Sequence, residues 1–199
     1  MGESRKKRTG VPDAKRAIRW YKQQADELGI DPERIIAGGG SAGGHICLVA
    51  TNNPGLNDPQ DSKEFDASVA AYILFNPALS KGDASDPEID VIQHLKADFP
   101  PAIAFFGSKD KWLEGWNPAY EKLKSMGNDN VNVQMAEGEG HAFFNYQPWA
   151  DITLTAALRI LKKLGYLEGE PTLPAAPDGE KLIEQPRNQT AWLLPCPPL

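Results

Sequence analysis

Cysteine is scarce in this 199-residue chain, which has only Cys47 and Cys196. Two thiols make no disulfide framework, and neither sits at metal-ligand spacing, so stapled secreted scaffolds and zinc modules are excluded. Long apolar runs are missing too. None approaches the ~18 residues a spanning helix needs, which removes helical membrane proteins. Basic residues are the minority, 21 against 27 acidic, for a net charge of −6. General nucleic-acid binders gain affinity from Lys and Arg neutralising phosphates, and this balance argues against one. The local exception is Arg5-Lys6-Lys7-Arg8, a basic arm over residues 1–10 that reads as a solvated terminal run in preference to a phosphate-binding arm. No charged n-region, apolar h-region and cleavage site opens the chain, so a cytoplasmic location is favoured. What is present, 41% hydrophobic residues at a mean hydropathy of −0.45, suits one soluble globular domain with a core of its own.

Four apolar stretches read as strands: Arg34 to Gly39, Ser68 to Phe75, Ala102 to Phe106 and Val131 to Met135. The first three are nearly continuous in apolar residues, as buried parallel strands are, and the fourth alternates, as an outer strand does. Helical patterns separate them. Asp13 to Leu28 places Ala14, Ile18, Tyr21, Ala25 and Leu28 on one stripe before Gly29. A second helix is expected near Pro87 to Ala97. A third is expected from an Asn117 cap and first-turn Pro118 to Gly127, and a fourth from Pro148 to Leu164 before Gly165. The alternation predicts an α/β fold, a parallel sheet of about four strands flanked by helices over residues 11–168, with ligands at the carboxyl ends of the strands. From Gly169 to Leu199 the prolines, among them Pro171, Pro174, Pro177 and Pro186, predict an extended tail.

After the first strand comes Gly38-Gly39-Gly40-Ser41-Ala42-Gly43-Gly44. In a sharp strand-to-helix turn Ser41 would stand in a strained conformation with its hydroxyl exposed, and Gly39 and Gly43 would avoid side-chain collisions. Glycine-rich turns also bind phosphate at helix N-termini, but no Lys follows in P-loop register and no GxGxxG is present. A serine hydroxyl is a poor nucleophile at neutral pH and needs a histidine base, held in its tautomer by a carboxylate. Asp110 follows the third strand in FFGSKD, and His141 follows the fourth in EGEGHAFF. All three residues thus fall at strand ends, in the order Ser, Asp, His.

Together GGGSAGGH, FFGSKDKW and EGEGHAFFNY resemble the α/β-hydrolase superfamily, in particular its acetyl esterase and lipase branch with feruloyl and acetyl xylan esterase-like proteins. The resemblance runs from about Arg8 to Leu167 and includes the linking segments DAKRAIRWYKQQADELGIDPERI and IQHLKADFPPAIAFFGSKD. It implies Ser41 as nucleophile, Asp110 as acid, His141 as base, the Ala42 N–H as an oxyanion donor, and a small or carbohydrate-linked ester as substrate. It implies no metal and no organic cofactor. Such proteins place several strands and an HGG-type oxyanion loop ahead of the helix matching Asp13 to Leu28, and nothing before Met1 supplies them. The expectation is therefore a partial fold with impaired activity, whose first strand presents an open edge covered by a homo-oligomer or a rearranged terminus. The same reasoning leaves secretion open. The rival reading is a non-catalytic hydrolase-fold fragment that binds a partner chain through that edge.

Around the proposed triad, Trp112, Trp116, Phe143, Phe144 and Tyr146 either line an acyl pocket or pack loops onto the sheet. Asn76, after the second strand, faces the same end as a substrate contact. His45 shares a face with Ser41 and reads as core packing, His94 as structural, and Cys47 as a small buried side chain. Glu137 and Glu139 either act on His141 by charge or are solvated. Asn188-Gln189-Thr190 is a glycosylation sequon.

Overall fold

A computed structural model describes residues 3–62, 64–174 and 179–185. Cys196 and the sequon at Asn188 lie outside these residues. The helices are α1 (Glu3–Gln23), α2 (Ala25–Leu28), α3 (Ala42–Asn52), α4 (Val91–His94), α5 (Leu113–Ser125) and α6 (Trp149–Lys163). The strands are β1 (Ile36–Gly40), β2 (Ala71–Phe75), β3 (Ala102–Gly107), β4 (Val131–Ala136) and β5 (Leu182–Glu184). They form one sheet in the order β1-β2-β3-β4-β5. The first four run parallel, and β5 pairs antiparallel with β4.

The sheet explains the apolar runs. Tyr72, Leu74, Ala104 and Phe106 point to one face, under α1, α3, α4 and α5. Ile73, Phe75, Ile103 and Phe105 point to the other, under α6. With both faces covered at β2 and β3, alternation disappears from their sequences. On β4, Val131, Val133 and Met135 join the first core, while Asn132 and Gln134 are half-buried on the other side.

The tail departs from its expected form by supplying a fifth strand. Between Pro177 and Pro186 the sequence has no proline, so every residue there has an N–H for a ladder. Asn132 Nδ2 donates to Glu184 Oε1 at 2.7 Å, and the Gln185 N–H donates to the Val133 carbonyl at 2.8 Å.

The N-terminal run is a helix, not a solvated arm. The stripe α1 buries is Lys7, Val11, Lys15 and Lys22. Ala14 and Ile18 pack at its margin, whereas Tyr21 and Leu28, expected inside, are 48% and 45% exposed. Lysine stems can serve as apolar surface when each ammonium meets fixed acceptors. Lys7 Nζ donates to the Ala78 carbonyl at 2.8 Å and to both Asp83 oxygens at 3.1 Å. Lys15 Nζ donates to the Asn53 carbonyl, at the C-terminus of α3, and to the Gly55 carbonyl at 2.6 Å. Lys22 holds Asp66 at 2.5 Å, and Arg8 pairs with Asp86 and Glu88.

Two helix boundaries also move. The helix expected over residues 87–97 is reduced to α4, because the preceding turn buries Ile89 completely and Asp90 caps the start, accepting the Ile92 N–H at 3.1 Å. Helix α5 begins at Leu113, ahead of Asn117 and Pro118. The turn after β3 starts it, with the Leu113 N–H on the Asp110 carbonyl at 3.2 Å, so Pro118 lies inside the helix. Gly29, Gly127 and Gly165 end their helices at positive φ as expected.

Candidate active site

Strand β1 runs into α3 through Ser41, whose backbone sits at φ 53°, ψ −122°. A non-glycine residue there is strained, and the surroundings hold it. Its N–H donates to the Phe75 carbonyl at 2.9 Å, and its carbonyl accepts the Ala78 N–H at 2.9 Å and the His45 N–H at 3.2 Å. A Cβ on Gly39 would meet the Gly43 carbonyl carbon at 2.7 Å, and one on Gly44 would meet the Gly39 oxygen at 2.9 Å. Gly43 is exposed and a Cβ there would meet nothing within 4 Å, so the collision expected at Gly43 falls at Gly44. The reason is helical phase: Gly44 turns back onto β1 and Pro77, and Gly43 faces out.

Asp110 follows β3 and His141 follows β4, and two further contacts bring their loops together. A Cβ on Gly107 would meet the Glu139 oxygen at 2.3 Å, so only glycine lets the His141 loop cross the end of β3. Ser108 Oγ accepts the Gly138 N–H at 2.8 Å and donates to Glu137 Oε1 at 3.3 Å. Gly107 and Ser108 were not singled out from the sequence; the glycine ending FFG at a strand terminus was the available signal.

Ser41, Asp110 and His141 meet above the sheet. His141 Nε2 lies 2.8 Å from Ser41 Oγ, and His141 Nδ1 lies 2.9 Å from Asp110 Oδ2. Asp110 is an acceptor, which assigns the ring proton to Nδ1 and leaves Nε2 free to accept from the serine. The Asp110 side chain is fully buried and that of His141 is 33% exposed. Asp110 Oδ1 accepts the Trp112 N–H at 2.9 Å, and Oδ2 also accepts from Asn76 Nδ2 at 2.5 Å. Ala42 opens α3, where first-turn N–H groups have no acceptor within the helix.

The pocket expectations fare unevenly. Asn76 is fully buried beneath the site, so it cannot be the substrate contact expected of it. Phe143, 3% exposed, packs edge-on to Trp149 at 5.5 Å as a core residue. Trp116 is likewise buried, against Phe106. Both lie on faces turned into the sheet packing. Half-buried Trp112 stands 6.3 Å from the His141 ring. Half-buried Phe144 covers Gly40, where a Cβ would touch its ring at 2.9 Å, and packs with a tilt against Phe75, ring centroids 4.8 Å apart. Tyr146 is 70% exposed.

His45 is completely buried. Its Nε2 lies 3.2 Å from Asp83 Oδ2, off a good hydrogen-bond line, and its Nδ1 has no hydrogen-bond partner. Asp83 is held below the usual carboxylate range: burial pushes it up, but His45, Lys7 and the Ser80 N–H together outweigh that. His94 is structural, its Nε2 2.9 Å from the Pro87 carbonyl. Burial pushes the Cys47 thiol up to about 12, so it is a packing group without thiolate reactivity at neutral pH. Among the described residues no group of three or more His, Cys, Asp or Glu could hold a metal, and no helix is long and apolar enough to cross a membrane.

A family model described as BD-FAE matches residues 4–80. Thermogutta terrifontis esterase 2, solved with propionate bound, superposes with a TM-score of 0.72 at 33% identity over 81% of this chain and 67% of that one. The chain belongs to the BD-FAE family of α/β-hydrolase esterases. The apo form of Thermogutta terrifontis esterase 2 superposes with a TM-score of 0.74. Among Mycobacterium tuberculosis proteins, Esterase LipC is 28% identical over 67% of this chain, and LipM, a probable carboxylic ester hydrolase, 29% over 50%. The chain spans 40% of the length of LipC and 30% of LipM.

Proposed function

We propose that this BD-FAE family member is a serine hydrolase that cleaves small acyl esters through an acyl-enzyme. The observation that carries the reading is the continuous path from Ser41 Oγ to His141 Nε2 at 2.8 Å and from His141 Nδ1 to Asp110 at 2.9 Å. Ser41 Oγ attacks the ester carbonyl while Nε2 takes its proton, and Asp110 steadies the imidazolium. The tetrahedral oxyanion lies toward the Ala42 N–H. Its collapse breaks the ester C–O bond, and His141 returns the proton to the leaving alcohol. Water then gives a proton to His141 Nε2 and bonds to the acyl carbon, the bond from that carbon to Ser41 Oγ breaks, and His141 returns the proton to Oγ as the carboxylic acid leaves. No step uses a metal or a cofactor. Trp112, 6.3 Å from the His141 ring, and half-buried Phe144, which covers Gly40, would flank a short acyl group. Thermogutta terrifontis esterase 2 supports this class, having been solved with propionate and with butyrate bound, and phosphorylated by paraoxon.

Within these 199 residues Ala42 supplies one oxyanion donor. One missing donor costs about 2.7–4 kcal/mol, so turnover by this stretch alone is proposed to be slower by about a hundred- to a thousandfold than with a second donor present. A fluorophosphonate probe tests the reading. Peptide mass spectrometry should find the adduct on Ser41, and His141→Ala should abolish it. A folded chain that takes no label would overturn the proposal.

A second reading rests on β1, whose outer side has no partner among the described residues. In it the chain works as a non-catalytic fragment that pairs with another chain there. It predicts partner binding undiminished in Ser41→Ala, with no probe adduct on the unmodified chain.

A further inference from the structure

We infer that Asn76 is a positioning residue that sets the basicity of the Ser41–His141–Asp110 relay, an inference resting on the hydrolase reading. Asn76 is fully buried and stands at φ +46°. Its N–H donates to the Phe105 carbonyl at 2.8 Å, which carries the β2–β3 ladder one residue past β2. From there the side chain bridges two loops. Nδ2 donates to Asp110 Oδ2 at 2.5 Å, and Oδ1 accepts the Ala142 N–H at 3.3 Å.

The amide has one workable orientation. A backbone N–H can only donate and an ionised carboxylate can only accept, so Oδ1 faces Ala142 and Nδ2 faces Asp110. Aspartate would place two carboxylates in contact, and leucine, of similar size, would satisfy neither neighbour. Ala142, directly after His141, also stands at positive φ, +65°. Two strained residues are thus joined by one hydrogen bond, and the turn that aims the His141 ring is tied to the acid loop.

The shared oxygen has a chemical consequence. Asp110 Oδ2 accepts from both His141 Nδ1 and Asn76 Nδ2. The amide draws charge from that oxygen, so the carboxylate stabilises the imidazolium less than it would alone. Without the amide, the full charge of Oδ2 would face His141 Nδ1, the ring would hold its proton more tightly, and the two loops would lose the tie between them. Other charged groups nearby are Lys7 and Lys111, 5.6 and 5.0 Å from the Trp112 ring, and Glu137 and Glu139 of the His141 loop. Lys7 is committed to Ala78 and Asp83, and Glu137 to Ser108.

The test follows the His141 ring by proton NMR across pH in the unmodified chain, Asn76→Leu and Asn76→Ala, alongside fluorophosphonate labelling rates. Both variants remove the donor to Asp110 Oδ2 and should titrate His141 at higher pH than the unmodified chain, with a displacement of about half a unit or greater. Labelling should slow about tenfold or more in Asn76→Leu, with its acid limb displaced by the same amount as the ring titration. Variants that fold and titrate His141 where the unmodified chain does would overturn the inference, leaving Asn76 a packing residue. Asn76→Ala adds neither bulk nor charge, so it carries the test if Asn76→Leu does not fold. The NMR arm needs no turnover. An unmodified chain that takes no label counts against the hydrolase reading, and the titration arm still decides the role of Asn76.

Discussion

Ser41 keeps its strained backbone because its neighbours leave it nowhere else to go, and the glycines around it differ sharply in what they contribute. Gly39→Ala drives a methyl group into the Gly43 carbonyl carbon at 2.7 Å, and backbone cannot swing aside as a side-chain tip does. A loss of about 1–3 kcal/mol is expected in urea denaturation, along with loss of Ser41 labelling. Gly43→Ala meets open space in the first turn of α3. It should leave labelling intact and stabilise the chain by up to about 1 kcal/mol. The motif pointed to both glycines because it records only spacing. Which of them touches backbone depends on where α3 turns after Ser41, and that belongs to the packing of β1 against the helix.

At the scale of elements, α1 shows a pattern that hydrophobicity counting misreads. Its inward line contains three lysines whose charges end on carboxylates or on helix-terminal carbonyls, so the periodic apolar positions indicate a neighbouring face. Lys15 leads to a pH prediction. Its ammonium is buried against neutral carbonyls, and desolvation, with a smaller push from Arg19, lowers it from the ordinary 10.5 to about 8. The unfolded chain therefore holds this proton more tightly than the folded one. The group's contribution to stability rises with pH between about 8 and 10.5. Cys47, pushed up to about 12, acts in the opposite direction above pH 9, but it is common to both proteins of a matched pair. The Tm of the unmodified chain minus that of Lys15→Met should increase from pH 8 to pH 10. A flat difference would mean that the ammonium is as comfortable folded as unfolded.

For the whole molecule, the β1 side is where apolar surface collects. Trp20, Tyr21, Leu28, Ile30 and Leu167 are each 38–48% exposed. Tyr21, Ile30, Ile35, Ile36, Leu161 and Leu167 line an open groove of about 520 Å³ next to β1, whose outer side is unpartnered among the described residues. An edge of this kind invites pairing, and the cover we propose is a second copy of this chain. Light scattering at micromolar concentration should give twice the 21.8 kDa chain mass. Replacing both Tyr21 and Ile30 with Lys should return it to the single mass without touching Ser41. A monomeric unmodified chain with high thermal stability and no dye-accessible apolar surface would overturn this.

Read alone, the sequence determined the parallel order of four strands, the ends of α2, α5 and α6 at glycines, and the three polar residues that follow β1, β3 and β4. Each of these rests on short-range physics: period, turn stereochemistry, and the rule that strand ends carry the chemistry. Tertiary structure alone decided that the basic run is a buried helix, that part of the proline-rich tail adds β5, and that Phe143 and Asn76 lie beneath the site and not in it. Those outcomes depend on partners far away in the chain, such as Asp83 for Lys7, Val133 for Gln185 and Asp110 for Asn76. The energy of a buried polar group is set by whether such a partner is within hydrogen-bond reach, and no local pattern carries that distance.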